Sequence, residues 1–193
     1  MTILNDKQIL AECDEQKMIT PYAIKQVREV DGKRVISYGL SSFGYDARVA
    51  DEFSIAHTDR LSVIDPKHAA ASFRPTDKRD LNGDFVIPAH GFVLCRTVEY
   101  FRIPSDVLAI CHAKSTYARC GLVIGVTPLE PGWHGHVTLE LSNTTDIPIR
   151  VYVGEGICQF LFLRGEEPSV TYETREGGPG KYQGQIGVTV AKP

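Results

Sequence analysis

The sequence predicts an all-β domain, built as an antiparallel sandwich, a jelly roll or a closed barrel. From Phe85 onward, short segments rich in Val, Ile, Leu and Phe recur at near-regular spacing. Turns such as Pro88-Ala-His-Gly and Gly154-Glu-Gly separate them, as in antiparallel β-proteins. Only one longer helix is predicted, and the 193 residues suit a single domain with a sizeable core.

The predicted helix lies near the start of the chain. Asn5 or Asp6 can cap it, because short polar side chains accept hydrogen bonds from the unpaired N–H groups of a first helical turn. We expect Pro21 to end it. The apolar residues that would share one face are Ile9, Leu10 and Cys13.

Two segments depart from the strand pattern. Residues 65–84 are polar and alanine-rich, and we interpret them as an irregular surface excursion. Residues 177–193 are glycine-rich, which is typical of a flexible tail or of a lid that orders over a ligand. We therefore predict one domain over residues 1–193, with 177–193 as its lid.

Composition limits the classes of function. The net charge of −3 gives no global positive field for nucleic acid or membrane, so cations for an anionic ligand must be local. The first residues lack the basic region and the apolar core of a signal peptide. No apolar run approaches the roughly 20 residues that a membrane-spanning helix needs. The five cysteines are widely spaced and lack a Cys-x-x-Cys pair, which favours reduced thiols. We expect a cytoplasmic protein.

Residues 114–119, Lys-Ser-Thr-Tyr-Ala-Arg, place two hydroxyls between two cations. They follow an apolar strand and would form one helical turn. Ser115 could simply cap that turn. The same N–H groups also suit phosphate oxygens, and Lys114 and Arg119 favour an anion site.

Glu140 lies on the polar face of an otherwise apolar strand. It could belong to a solvated face, as most glutamates do. In a partly buried pocket, however, its pKa would rise and it could act as a general base near neutral pH. The inward residues of this strand are Val137, Leu139 and Leu141, and the outward ones are His136, Thr138, Glu140 and Ser142.

Trp133 is the only tryptophan and follows a Pro-Gly turn. Such a residue is usually part of a core, but beside Pro-Gly it could also be a flat platform for a sugar or base. Metal chemistry by protein ligands is not predicted. The His-x-Glu and Pro-Cys-x-x-Cys segments of zinc deaminases are absent, and the six histidines have no ligand spacing.

Five segments in order resemble the dCTP deaminase family of the trimeric dUTPase superfamily. They are Ser42-Phe-Gly-Tyr-Asp-Ala-Arg, His112-Ala-Lys-Ser-Thr-Tyr-Ala-Arg-Cys-Gly, Pro131-Gly-Trp, Thr138-Leu-Glu and Lys181-Tyr-Gln-Gly-Gln. The resemblance implies a distorted jelly roll and a homotrimer whose active sites are shared between subunits. It also implies deamination of dCTP to dUTP and ammonia without zinc, which supplies dUTP for dUMP and dTTP synthesis.

By this resemblance, Glu140 takes a proton from water, the hydroxide attacks C4 of cytosine, and Glu140 passes the proton to N3 and the departing ammonia. Ser115 would help to hold the water and Arg119 would orient Glu140. The residues that the resemblance assigns to substrate binding are Lys114, Thr116, Tyr117, Ala118, Trp133, Thr138, Leu139, Gln159, Tyr172, Lys181 and Gln185.

Lys114 and Thr116 would meet the phosphates, Thr138 and Gln159 the base or sugar, and Trp133 the deoxyribose. Tyr172, Lys181 and Gln185 would close over the triphosphate, with Mg²⁺ bridging its oxygens and no protein ligand to the metal. Inhibition by dTTP is compatible with the sequence, which leaves this feedback open.

The chain departs from the family pattern at two places. Lys114 replaces an arginine that many relatives carry, so a point charge replaces bidentate contact. The loop at 126–130 is shorter than a common variant and lacks its arginine. The carbonyl that holds the water is therefore open, and we expect that of Val126 or Thr127.

Two other functions are compatible with the sequence. Glu130 and Trp133 lie roughly where dUTPases carry their catalytic aspartate and tyrosine. A dUTPase, or a bifunctional enzyme that releases dUMP and pyrophosphate, is thus the nearest alternative. A nucleotide-binding trimer that acts only as a regulator should lack the base, whereas Glu140 is present.

Overall fold

A computed structural model describes residues 1–56, 63–68 and 72–193. Antiparallel strands dominate it, so the predicted all-β class is confirmed. The elements are β1 Thr2–Ile3, α1 Asp6–Gln16, β2 Ile19–Thr20, β3 Val27–Val30, β4 Lys33–Leu40, β5 Tyr45–Ala56, β6 Phe73–Pro75, β7 Phe85–Ile87, β8 Phe92–Arg102, β9 Val107–Ala113, α2 Ser115–Ala118, β10 Leu122–Gly125, β11 His134–Asn143, β12 Ile149–Val151 and β13 Gly156–Arg164.

One curled sheet forms most of the domain. Its strands follow the order β1-β13-β5-β8-β11-β10, β9 pairs with β13, and β12 and β7 form a separate pair. The long strand β5 joins the two halves, because it pairs with β13 near its start and with β8 further along. In the strand order, β13 and β9 therefore lie on one side of β5, and β8, β11 and β10 on the other.

The core lies inside the curl of the sheet. Phe101 of β8 and Phe160 of β13 meet there with their ring centroids 4.7 Å apart, and both are fully buried. Phe53 of β5 stacks on Phe85 of β7 at 3.8 Å. Burying one such ring contributes about 1.5–3 kcal/mol, so the first contact holds β8 to β13 across the curl and the second holds the β7–β12 pair to the main sheet.

Helix α1 is capped as predicted but ends earlier than predicted. Asn5 Oδ1 accepts a hydrogen bond from the Gln8 N–H, and Gln8 Oε1 accepts one from the Asn5 N–H. Ile9 and Cys13 face the core. The helix ends at Gln16 because the next residue takes a left-handed conformation, not because of the proline at position 21.

The segment 65–84 agrees only in part with the predicted excursion. Residues 63–68 are exposed, and 69–71 lie outside the described residues. Strand β6, however, pairs with the end of β5. The prediction of irregular structure was wrong there, because pairing with a neighbouring strand overrides a weak local preference.

A buried ion pair links two strands of the sheet. The Glu99 carboxylate is fully buried and accepts hydrogen bonds from Nε and from the backbone N–H of Arg48, at 2.7 and 2.9 Å. Burial raises the pKa of Glu99, while Arg48 acts in the opposite direction. The arginine also covers the Tyr38 ring, at 4.8 Å from its centroid. It therefore compensates a charge that water cannot reach.

We predict that Arg48→Met lowers the free energy of unfolding by about 3–5 kcal/mol, because it leaves Glu99 buried without a partner. Urea denaturation at fixed protein concentration measures the loss. The matched control is Arg34→Met, since Arg34 is exposed. Equal stability of the two variants would contradict a structural role for the pair.

Candidate active site

Strand β11 alternates as the sequence predicted. Val137, Leu139 and Leu141 are buried, and the side chains between them are half-buried. Leu139 is fully buried, so only its backbone is available to a ligand. Glu140 therefore points away from the core, into a cavity on the other face of the sheet.

The cavity has a volume of about 980 Å³ and is bounded by β8, β11, the 126–130 loop and the C-terminal tail. A site of this size suits a nucleotide. Six of the predicted site residues line it: Trp133, Thr138, Glu140, Tyr172, Lys181 and Gln185. Val126, Thr127 and Glu130 line it as well.

Glu140 presents a half-buried carboxylate to this cavity. Loss of water around it raises its pKa above the ordinary value. Within the described residues it makes no hydrogen bond and no ion pair. A half-buried carboxylate with open lone pairs beside a large cavity can hold and deprotonate a water molecule.

The tail docks against the outer edge of the cavity. The Trp133 indole N–H donates to the Tyr182 carbonyl at 2.9 Å, and Thr138 Oγ1 donates to Gln185 Oε1 at 3.0 Å. The His136 N–H donates to the Gln185 carbonyl at 2.8 Å. Trp133 is thus both a buried core residue and a wall of the cavity, and residues of the tail line the same cavity.

Tyr172 and Lys181 differ in how firmly they are held. Tyr172 is buried, and its hydroxyl accepts a hydrogen bond from the Tyr182 N–H at 3.1 Å. Lys181 is exposed, and its ammonium donates to the carbonyl of Lys192. Only Lys181 can therefore exchange its present partner for a ligand at little cost.

The other predicted residues do not line this cavity. Ser115, Thr116, Ala118 and Arg119 are exposed on or beside α2. Among the residues that the structure describes, the Arg119 guanidinium donates a hydrogen bond only to the Ser115 carbonyl, at 3.4 Å. In a single chain these groups and Glu140 therefore form two separate clusters.

Ser115 is not the cap of α2. The capping position is Lys114, whose side chain makes no cap hydrogen bond. Neither the Ser115 nor the Thr116 hydroxyl is paired within the described part of the chain. Both are consequently available to a ligand, which the capping interpretation had not allowed.

Three predicted site residues have structural partners. Lys114 forms an ion pair with buried Asp46, and the Gln159 amide donates to Ser41 Oγ at 3.2 Å. Tyr117 is buried, and its hydroxyl accepts from a backbone N–H of the β12–β13 region. The sequence did not predict Asp46 as the partner of Lys114. It showed only that Asp46 belongs to the Ser42–Arg48 motif, which does not indicate a partner.

Arg175 is a second residue that sequence reasoning missed. It lines the cavity, lies over the Tyr172 ring at 4.5 Å from the centroid, and pairs with Glu130. It therefore supplies a cation close to the loop that lacks the expected arginine. Its position could not be read from the sequence, because the tail approaches the loop only in the folded chain.

Comparison with known proteins decides the family. A family described as dCTP deaminase-like matches residues 3–165. A dCTP deaminase of Pseudomonas paraeruginosa is 53% identical over all of both chains, and one of Rickettsia bellii is 52% identical over 98% of each. The chain belongs to the dCTP deaminase-like family.

The fold of this deaminase-like chain also has a solved counterpart. The crystal structure of a 2′-deoxycytidine 5′-triphosphate deaminase from Agrobacterium tumefaciens matches with a TM-score of 0.58 at 19% identity. The match covers 84% of this chain and 48% of the Agrobacterium chain, so this chain spans about half of its length. The likeness supports the predicted jelly-roll type of fold.

Two further properties of the deaminase-like chain hold for residues 1–56, 63–68 and 72–193. No three His, Cys, Asp or Glu side chains come together there in a way that could hold a metal ion. None of the helices in that part is long and apolar enough to cross a membrane.

We predict that Glu140→Gln raises the melting temperature at pH 7. Because the folded-state pKa of Glu140 is raised, its charge opposes folding above the unfolded pKa, and the neutral amide removes that cost. The gain should vanish near pH 3, where both side chains are uncharged. Exposed Glu29→Gln is the control, and an equal gain in both variants would contradict the burial argument.

Proposed function

We propose that this chain hydrolyses dCTP to dUTP and ammonia, with Glu140 as the general base, in the cytoplasm. The observation that carries the proposal is the half-buried Glu140 carboxylate, which faces a cavity of about 980 Å³ without a protein partner among the described residues. The full-length identity of 53% to a dCTP deaminase gives the substrate.

The reaction needs one group that both accepts and returns a proton. Glu140 takes a proton from water, and the hydroxide adds to C4 of the cytosine ring. The carboxylic acid then gives this proton to N3, where it stays in dUTP. The second water proton moves from the C4 hydroxyl through Glu140 to the amine, the C4 carbonyl forms as the C–N bond breaks, and water and dCTP become dUTP and ammonia. A raised pKa suits this double role, because the group must release the proton again.

The walls of the cavity would select the nucleotide. Thr138 and the Leu139 backbone lie on β11 beside Glu140 and would bind the base. Buried Trp133 would pack against the deoxyribose and leave no room for a 2′-hydroxyl. The methyl-bearing base of dTTP would fit the same walls but has no amine to lose, which makes it an inhibitor.

The tail would close over the triphosphate. Lys181 is exposed and can turn toward phosphate oxygens, while Tyr172 and Gln185 already line the cavity. Mg²⁺ would accompany the nucleotide on its own phosphate oxygens, since the described residues offer no carboxylate cluster for it. When bound, the ion neutralises phosphate charge.

A homotrimer would complete the site. Ser115, Thr116 and Arg119 are exposed and lie apart from the cavity of their own chain. A neighbouring subunit could bring them to Glu140, together with Lys114 and Gln159. There Arg119 would orient the carboxylate, Ser115 would hold the water, and Lys114 and Thr116 would meet the phosphates.

A further step to dUMP and pyrophosphate is the second candidate. Glu130 lines the same cavity as Glu140, and it could activate a second water at the phosphates. Its pairing with Arg175 holds it at the rim. Product analysis separates the two activities: dUTP with ammonia for deamination alone, and dUMP with pyrophosphate for both.

We predict that Glu140→Gln lowers kcat for ammonia release from dCTP by at least about 10²–10⁴-fold. The amide keeps the shape of the side chain but cannot take a proton, so dCTP affinity should change little. A coupled ammonia assay and calorimetric binding measure the two quantities. Glu130→Gln is the matched control, and its deamination rate should stay near that of the wild type.

We also predict that the reaction proceeds without zinc. Treatment with a strong zinc chelator followed by excess Mg²⁺ should leave the ammonia rate unchanged, because the chain offers no ligand set of the zinc-deaminase type. A rate that returns only when zinc is added would contradict the mechanism.

A further inference from the structure

Gly125 ends β10 and lies directly opposite Glu140 of β11 in the antiparallel pair. On its other side, Glu140 is opposite Leu94 of β8. Directly opposed residues have their side chains on the same face of a sheet. Glu140 therefore stands between a bulky leucine on one side and a residue without a side chain on the other.

The carboxylate occupies the space that a side chain at position 125 would need. A Cβ placed on Gly125 would lie 2.7 Å from Oε2 of Glu140, which is closer than such atoms approach one another. The next contact, with Cβ of Glu140, would be an ordinary 3.5 Å. Only the end of the glutamate would have to move.

The backbone does not require glycine here. The φ of Gly125 lies outside the left-handed region that favours glycine, and glycine inside a strand loses more conformational entropy on folding than any other residue. Alanine should therefore fit the strand at least as well as glycine. What glycine provides at this position is the room beside the carboxylate.

We propose that Gly125 is a positioning residue for the general base, and that its missing side chain sets where the Glu140 carboxylate rests. This inference rests on the proposed function. Within the described residues no hydrogen bond holds the carboxylate, so in a single chain the space beside Gly125 sets where it can rest, and Arg119 of a neighbouring subunit would meet it there. Because catalysis depends on near-contact geometry, a shift of about 1 Å costs on the order of 10²-fold in rate.

The test is Gly125→Ala, with Gly165→Ala as the matched control, because a Cβ at Gly165 meets nothing within 4 Å. For Gly125→Ala we expect kcat to fall about 10–10²-fold. Its KM for dCTP should stay within about threefold, since base and phosphate contacts are kept, and its melting temperature should not fall. Gly125→Val should lose more activity than alanine. The control should match the wild type in all three quantities.

Wild-type kcat in both Gly125 variants would overturn the inference. So would misfolding of Gly125→Ala, because the clash should fall on a flexible side chain and not on the backbone. If the wild type releases no ammonia from dCTP, the proposed function fails separately. Crystal structures of the wild type and Gly125→Ala then test the position of the Glu140 carboxylate independently of activity. A carboxylate that has not moved would overturn the inference.

Discussion

Strand β11 lies between β8 and β10, and hydrogen bonds on both of its edges fix which side chains face the core. A slip of one residue in this register would exchange Leu139 with Glu140 and bury a charge. The same register sets Gly125 beside the carboxylate and Thr138 beside the tail. The core, the cavity and the candidate base all depend on these two rows of hydrogen bonds.

The two clusters of polar groups face different requirements. Glu140 needs a partly dry pocket to raise its pKa, and the cavity under the tail provides one. The hydroxyls and cations around α2 are exposed, which suits groups that meet an incoming anion. Lys114 is the exception, since Asp46 already neutralises it. A phosphate would have to compete with that carboxylate for the ammonium.

Local pattern predicted the parts of the structure that depend on neighbouring residues. The alternation around Glu140 indicated a half-buried strand, and Asn5 indicated the start of α1. The end of α1 was missed, because Lys17 is an uncommon residue in the left-handed conformation.

The contacts between distant segments could not be predicted. The pairs of Arg175 with Glu130 and of Lys114 with Asp46 join residues 45 and 68 positions apart. The position of Gly125 opposite Glu140 depends on a strand register that only the folded chain defines. For the same reason, spacing along the sequence did not predict that Arg119 lies beside Glu140. That prediction came from the family resemblance.

The central claim is that one subunit supplies Glu140 and its neighbour supplies Arg119. The most direct measurement mixes the inactive variants Glu140→Gln and Arg119→Ala, refolds them together, and follows ammonia release from dCTP. Random mixing in a closed trimer should restore roughly one quarter of the wild-type rate, because about one site in four joins a subunit that keeps Glu140 to a neighbour that keeps Arg119, in the order the site needs. A mixture no more active than either variant alone would show that both groups act within the same chain, and would contradict the account.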